Sequence, residues 1–305
     1  MSGDRGLAVH VGPSRRPLLE QAVLDGGGRL VGLADAEAIV YHGSDDPDEI
    51  VTMLHPGVRW VQLPHAGVER WTGTGVITDE RLWTSSVGAY APQVAEHALA
   101  LMLLAARGLH TLARAERWTP KATRLFAGST VALVGAGGIA RALAVLLEPF
   151  GCRLLAVSDS GDFPGADRTV PRAAYREVLP EADYVVLSAP STPATHGMIG
   201  AAELDLMRAD AWLVNVARGD LVVTDDLVSA LRERRIGGAA LDVTDPEPLP
   251  AGHPLWSLPS VIVTPHAANP DDAYWPTLAE RVRENVRRVM AGEPTLGRID
   301  PGSGF

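Results

Sequence analysis

The sequence predicts an α/β protein of two parallel-sheet domains, Rossmann-like or flavodoxin-like, with the nucleotide-binding domain inserted into the substrate domain. Three observations predict it. Short apolar runs alternate with helical patterns along almost the whole chain. A glycine-rich turn suited to a dinucleotide opens only at residue 135, leaving enough chain before it for a separate α/β domain. One amphipathic helix follows the last strand-like run, too little chain for a domain of its own.

In order, residues 7–11, 38–41 and 60–63 read as buried strands with helix-like stretches between them. Residues 92–117 carry apolar side chains on nearly every turn and read as one long helix bridging the two domains. Residues 131–134, 154–157, 184–188, 212–216, 238–242 and 261–263 continue the strand series. Residues 271–291 read as an amphipathic helix, with Leu278, Val282, Val286, Val289 and Met290 on one face and Arg281, Arg283, Glu284, Arg287 and Arg288 mostly elsewhere. The economical assignment returns this helix to the first domain. The substrate domain is then 1–95 with 275–305, and the nucleotide domain is 96–274. Two chain crossings flank the expected cleft.

Composition narrows the function classes. With 46% hydrophobic and 21% charged residues the chain resembles an ordinary soluble globular protein. A net charge of −10 disfavours nucleic acid, whose phosphates need a basic surface, but leaves room for a small anionic substrate held by one arginine. The lone Cys152 excludes an intrachain disulfide and reads as a packing residue. The stretch MSGDRGLAVHVGPSRR has no apolar core suited to a signal peptide, and the longest apolar run, 98–106, is far short of the ~20 residues that span a bilayer. These features fit a cytoplasmic protein with no membrane partner, and no metal site is expected.

Gly135-Ala136-Gly137-Gly138-Ile139-Ala140 fits G-x-G-x-x-A, after one strand-like run and before a helical run, 139–147. The first glycine makes the tight turn, the second lets backbone approach a pyrophosphate, and Ala140 lets helix and strand pack closely. The next strand leads to Asp159, where a carboxylate accepts from ribose hydroxyls and repels a 2′-phosphate. NAD is therefore favoured over NADP, although Arg153 and Arg168 are close enough in sequence to hold a phosphate. The bland alternatives are a plain glycine-rich turn and a solvated Asp159.

Three polar residues follow successive strand-like runs at one expected sheet edge: Arg218 in LVNVARGD, Glu247 in ALDVTDPEPLP and His266 in VIVTPHAA. A guanidinium fork suits bidentate carboxylate binding. An imidazole gives and takes one proton near neutral pH, and a carboxylate beside it orients the ring. Singly, each reads equally well as a surface or capping residue. As a set they point to hydride chemistry on a small acid.

These segments, together with VQLPHAGVERW at 61–71, VAEHALALMLLAAR at 94–107, SAPSTPATHGMIG at 188–200 and VTPHAAN at 263–269, resemble the D-isomer-specific 2-hydroxyacid dehydrogenase family over nearly the whole chain. The resemblance implies a homodimer and an NAD-dependent interconversion of a small 2-oxo acid and its D-2-hydroxy acid. It gives Arg218 the substrate carboxylate and carbonyl, His266 the acid/base role and Glu247 the place of its partner. It puts Gly135, Gly137, Gly138, Ile139, Asp159, Ala189, Pro190, Thr195, Val216, Ala217, Arg218, Asp242 and His266 at the cofactor, with Asp242 on the nicotinamide carboxamide. It places His65, Ala66, Gly67 and Arg218 at the substrate.

The chain departs from the family pattern at Ala136, at Gly138 and at His65, which stands where small residues are common. His65, Tyr90 and Trp275 are the expected shapers of the pocket, although solvent exposure or plain packing accounts for them as well. Two other readings stay open: a dinucleotide-sensing, corepressor-like protein, and a related dehydrogenase acting on phosphite or a specialised metabolite.

Overall fold

The computed structural model describes residues 6–44, 46–72, 74–118 and 123–300. The outermost residues of the expected substrate domain, 1–5 and 301–305, lie outside them, as does the start of the stretch MSGDRGLAVHVGPSRR. The chain divides into two compact units, Met1–Tyr90 with Pro270–Phe305, and Ala91–Asn269.

In chain order the first unit contains β1 (Ala8–Gly12), α1 (Pro17–Asp25), β2 (Arg29–Leu30), β3 (Ala38–Tyr41), α2 (Pro47–Val51), β4 (Trp60–Gln62) and β5 (Leu82–Thr84). The second contains α3 (Ala91–Arg107), α4 (Leu109–Leu112), β6 (Thr130–Val134), α5 (Gly138–Leu147), β7 (Arg153–Val157), β8 (Arg168–Val170) and β9 (Tyr184–Leu187). It continues with α6 (Ala201–Leu206), β10 (Trp212–Asn215), α7 (Thr224–Arg232), β11 (Gly238–Leu241) and β12 (Val261–Val263), and α8 (Asp271–Ala291) returns to the first unit.

Both sheets are parallel. Their orders are β2-β1-β3-β4-β5 and β12-β11-β10-β9-β6-β7-β8. In the second sheet the order reverses between β6 and β9, the switch point where open α/β sheets bind ligands outside their carboxyl ends. Strand side chains alternate between two cores. Val131 and Leu133 join Ala98, Leu101, Met102 and Leu143 from α3 and α5, whereas Ala132 and Val134 join Leu204, Leu227 and Leu231 from α6 and α7. A sheet apolar on both faces needs helices on both, and the sequence supplies them.

In the first unit α8 lays Leu278, Val282 and Val286 against Leu19 and Val23 of α1 and against Val9, Val11, Ala38 and Val40. Met290, expected on that face, is 42% exposed. Asn285 takes a fully buried place on the helix instead, because its amide is satisfied by Gln62 and by the backbone of Leu296.

The change of unit falls at 90/91 and 269/270, five residues before the 95/96 and 274/275 of the sequence reading. The physical reason is that α3 begins at Ala91 and packs its length against α5 of the second unit. The single helix expected over 92–117 ends at Arg107. Gly108 adopts a left-handed φ of 58°, which breaks the hydrogen-bond ladder before the short α4.

Candidate active site

The expected site residues of the second unit follow the carboxyl ends of its strands. Gly135 follows β6, Asp159 follows β7, Ala189 and Pro190 follow β9, Arg218 follows β10, Asp242 follows β11 and His266 follows β12. One parallel sheet thus carries all of them to a single edge.

The glycine turn has the geometry a dinucleotide requires. Gly135 has φ 109°, and a Cβ there would stand 2.6 Å from the Ala189 nitrogen. Only glycine lets β6 and the segment after β9 approach so closely. Gly137 caps α5 with φ −75°, and no atom lies within 4 Å of where its Cβ would stand. That open space lies at the N-terminus of a ten-residue helix whose first residues are Gly138 and Ile139, a place suited to a phosphate group. The residues present therefore fit a dinucleotide.

Asp159 lies beyond β7 with its carboxylate well exposed. The backbone N–H of Arg172 donates to its Oδ1 over 3.0 Å, and the Arg172 Nε lies 3.3 Å from Oδ2. Arg153 and Arg168, the two phosphate ligands weighed from sequence, are instead paired with Glu181 at 2.9 and 2.6 Å. The cation at Asp159 is thus Arg172, thirteen positions along the chain, which sequence proximity missed.

Ala189 is half-buried and Pro190 exposed. Thr195 is 3% exposed. Its hydroxyl donates to the Pro190 carbonyl over 2.7 Å and accepts from the Thr192 N–H over 2.8 Å. Its hydroxyl thereby shapes the turn after β9 and supports the edge. Val216 and Ala217 are both buried. The fully buried Asn215 amide holds this turn: its Oδ1 accepts from the Ala217 N–H over 3.1 Å, and its Nδ2 donates to the Arg218 carbonyl over 2.8 Å. Arg218 is half-buried, and one of its Nη groups donates to the Ala217 carbonyl over 2.7 Å. Next to it, a Cβ on Gly219 would fall 2.0 Å from the Thr244 carbonyl oxygen, so the β10 and β11 loops press together here.

His266 and Glu247 are in contact, with Nδ1 2.7 Å from Oε1. Both side chains are about half exposed, so the pair adds only ~0–1 kcal/mol to stability. Its effect is on the proton. A carboxylate only accepts, so Nδ1 carries the hydrogen and Nε2 is the nitrogen left to exchange one.

His266 is also one of two described non-glycine residues with positive φ, at 51°. Such a conformation costs about 1–3 kcal/mol and persists where neighbours over-determine it. Here Asp242 does so. Its carbonyl accepts from the His266 N–H over 2.8 Å, its Oδ1 from the Ala267 N–H over 2.8 Å, and its Oδ2 from the Ala268 N–H over 3.1 Å. Thr264 Oγ1 donates to Oδ1 over 2.6 Å, and His97 Nε2 lies 3.3 Å from the same oxygen. Asp242 is 2% exposed. Burial pushes its carboxyl up, but hydrogen bonds from His97, Thr264 and Ala267 outweigh burial and hold it below the usual range. Oδ2 keeps one lone pair, enough for the amide that the family resemblance assigns to it. The sequence reading named Asp242 but missed Thr264 and His97. The signal for Thr264 was a hydroxyl inside VTPHAA, and for His97 an imidazole next to Glu96 just before the apolar run 98–106.

In the first unit His65, Ala66 and Gly67 are half-buried after β4. The Ser86 N–H donates to the His65 carbonyl over 2.8 Å. Beneath this loop, Trp60 Nε1 donates to Thr84 Oγ1 over 2.9 Å, and Thr84 Oγ1 and Asn285 Nδ2 donate to Gln62 Oε1 over 2.9 and 2.7 Å. Tyr90 is 6% exposed and stacks on Tyr274, and its hydroxyl donates to the Pro64 carbonyl over 2.8 Å. Burial pushes its phenol well above the usual range. Tyr90 therefore braces the 63–67 loop from behind; it does not line a surface. Trp275 is half-buried in the α8 core. The Arg16 guanidinium lies over its ring at 3.4 Å, and His42 and Tyr274 meet it edge-on. Among the described residues no cluster suited to a metal ion occurs, and no helix is long and apolar enough to cross a membrane.

Comparison with known proteins follows the same lines. Residues 99–268 match the family model of the D-isomer specific 2-hydroxyacid dehydrogenase NAD-binding domain. The chain is 38% identical over 296 residues to an uncharacterized protein in the proB 3′ region of Corynebacterium melassecola, covering 93% of this chain and 95% of that one. It is 32% identical over 310 residues to the glyoxylate reductase of Thermococcus gammatolerans, covering 94% and 89%. A D-isomer specific 2-hydroxyacid dehydrogenase from Xanthobacter autotrophicus, solved with NADPH and MES, superposes with a TM-score of 0.85 at 28% identity, covering 99% and 100%.

Proposed function

The chain belongs to the D-isomer specific 2-hydroxyacid dehydrogenase family, and on that premise we propose that it interconverts a small 2-oxo acid and the D-2-hydroxy acid with NAD as the preferred dinucleotide. One observation carries this reading: a histidine and a carboxylate 2.7 Å apart on the sheet edge that also bears Arg218 and the glycine turn.

When bound, the dinucleotide supplies the hydride. Gly135, Gly137, Gly138 and Ile139 hold its phosphates, Asp159 its ribose, and Asp242 its carboxamide. The segments 189–190 and 216–217 frame it. Arg218 grips the substrate carboxylate and polarises the neighbouring carbonyl. His266 gives its Nε2 proton to the carbonyl oxygen in reduction and takes it back in oxidation. Glu247 accepts the Nδ1 hydrogen and so fixes the tautomer and orientation of the ring. Substrate choice falls to His65, Ala66 and Gly67, with Tyr90 and Trp275 as packing behind them.

Loss of NADH absorbance with glyoxylate, hydroxypyruvate, pyruvate and phenylpyruvate tests the proposal, with NADPH run in parallel. Turnover on at least one acid is expected, with higher kcat/KM for NADH. No turnover with either nucleotide overturns the reaction. A preference for NADPH overturns the cofactor assignment alone and points to Arg172 as the residue that meets the 2′-phosphate.

A further inference from the structure

Three consecutive backbone N–H groups, those of His266, Ala267 and Ala268, end on one residue, Asp242. The proton assignments behind that residue follow from its partners. Thr264 has a single hydroxyl hydrogen, and the 2.6 Å contact places it on Asp242 Oδ1. Its oxygen is then an acceptor toward His97, 3.0 Å away, so His97 carries its hydrogen on Nε2. That same Nε2–H reaches Oδ1 at 3.3 Å. His97 thus donates to both members of the Thr264–Asp242 pair from α3, an element remote in sequence from the loop it steadies.

We infer that His97 and Thr264 are positioning residues for the proposed proton donor, acting through Asp242 to hold the 264–268 loop in the strained conformation that presents His266. The physical need is plain. A left-handed histidine relaxes unless its neighbours forbid it, and the Ala267 and Ala268 N–H groups need an acceptor-only group whose own oxygens are fixed. Thr264 fixes Oδ1 directly, and His97 fixes Thr264 in the acceptor orientation that leaves its hydrogen for Asp242.

The inference rests on the proposed role of His266, and its test separates the two. Amide hydrogen exchange at Ala267 and Ala268 is followed in Thr264→Val, Thr264→Ser, His97→Ala and His97→Gln, with NADH affinity measured by fluorescence titration. Exchange at these two amides is expected to accelerate in Thr264→Val and His97→Ala, while Thr264→Ser and His97→Gln, which keep a donor, stay near the wild type. In the same two variants kcat is expected to fall about tenfold or more, with substrate KM little changed. Unchanged exchange at Ala267 and Ala268, or faster exchange spread evenly through residues 91–269, overturns the inference. If Thr264→Val does not fold, the contrast between His97→Ala and His97→Gln carries the test. A wild type that reduces no 2-oxo acid defeats the functional reading alone, because the exchange comparison does not depend on turnover.

Discussion

The two sheets end in loops that are held in opposite ways. Under the 63–67 loop lies a neutral network in which Gln62, Thr84 and Asn285, all fully buried, satisfy one another and the indole of Trp60. Under the 264–268 loop lies the buried Asp242, whose carboxylate takes donors from Ala267, Ala268, Thr264 and His97 and whose backbone carbonyl takes a fifth from His266. The difference follows from what each loop asks of its support. Balanced donors and acceptors suffice where the backbone is relaxed. A loop with consecutive N–H groups turned inward and a histidine at φ 51° needs an acceptor that offers no hydrogen of its own.

If chemistry belongs to the charged edge, His266→Ala gives the largest effect: turnover should fall by about two to four orders of magnitude, with NADH binding retained. Steady-state rates and a fluorescence titration check this, and near-normal turnover would remove the proton role. Asp242→Asn should come next, costing about 2–3 kcal/mol at neutral pH, because an amide nitrogen now faces a backbone donor. The carboxyl is held below its unfolded value, so its contribution is present above about pH 4 and is lost as pH falls through the folded value. Urea denaturation across pH should therefore show the gap to the wild type closing in acid. A constant gap would assign the effect to shape, not to charge. On the neutral edge, Tyr90→Phe should cost only about 1 kcal/mol through its lost bond to Pro64, and no acid-dependent gap should appear. A closing gap there would erase the contrast between the two edges.

The strands longest and most apolar were legible from sequence, because a strand buried on both faces leaves an unbroken run such as Ala38–Tyr41 or Tyr184–Leu187. The short strands Arg29–Leu30, Arg168–Val170 and Leu82–Thr84 were not, since each is two or three residues long and includes a charged or polar one that breaks the apolar run. Arg218, Glu247 and His266 were legible because each interrupts or follows an apolar run with a reactive side chain. Their supports were not. Asn215, Thr264 and His97 act through hydrogen bonds whose partners are set by the fold, and Arg172 reaches Asp159 only because β8 pairs beside β7.

The glycine turn was read from sequence as one motif, yet its two key positions answer to different constraints. At Gly135 the chain itself forbids a side chain, through left-handed backbone and the adjoining Ala189, so that glycine is information about folding. At Gly137 the backbone is ordinary and the surroundings are empty, so an alanine would collide with nothing in the chain. Its bareness leaves room for the phosphate of the proposed dinucleotide. The turn is thus a sentence with two authors, the fold at its first glycine and the proposed ligand at its second.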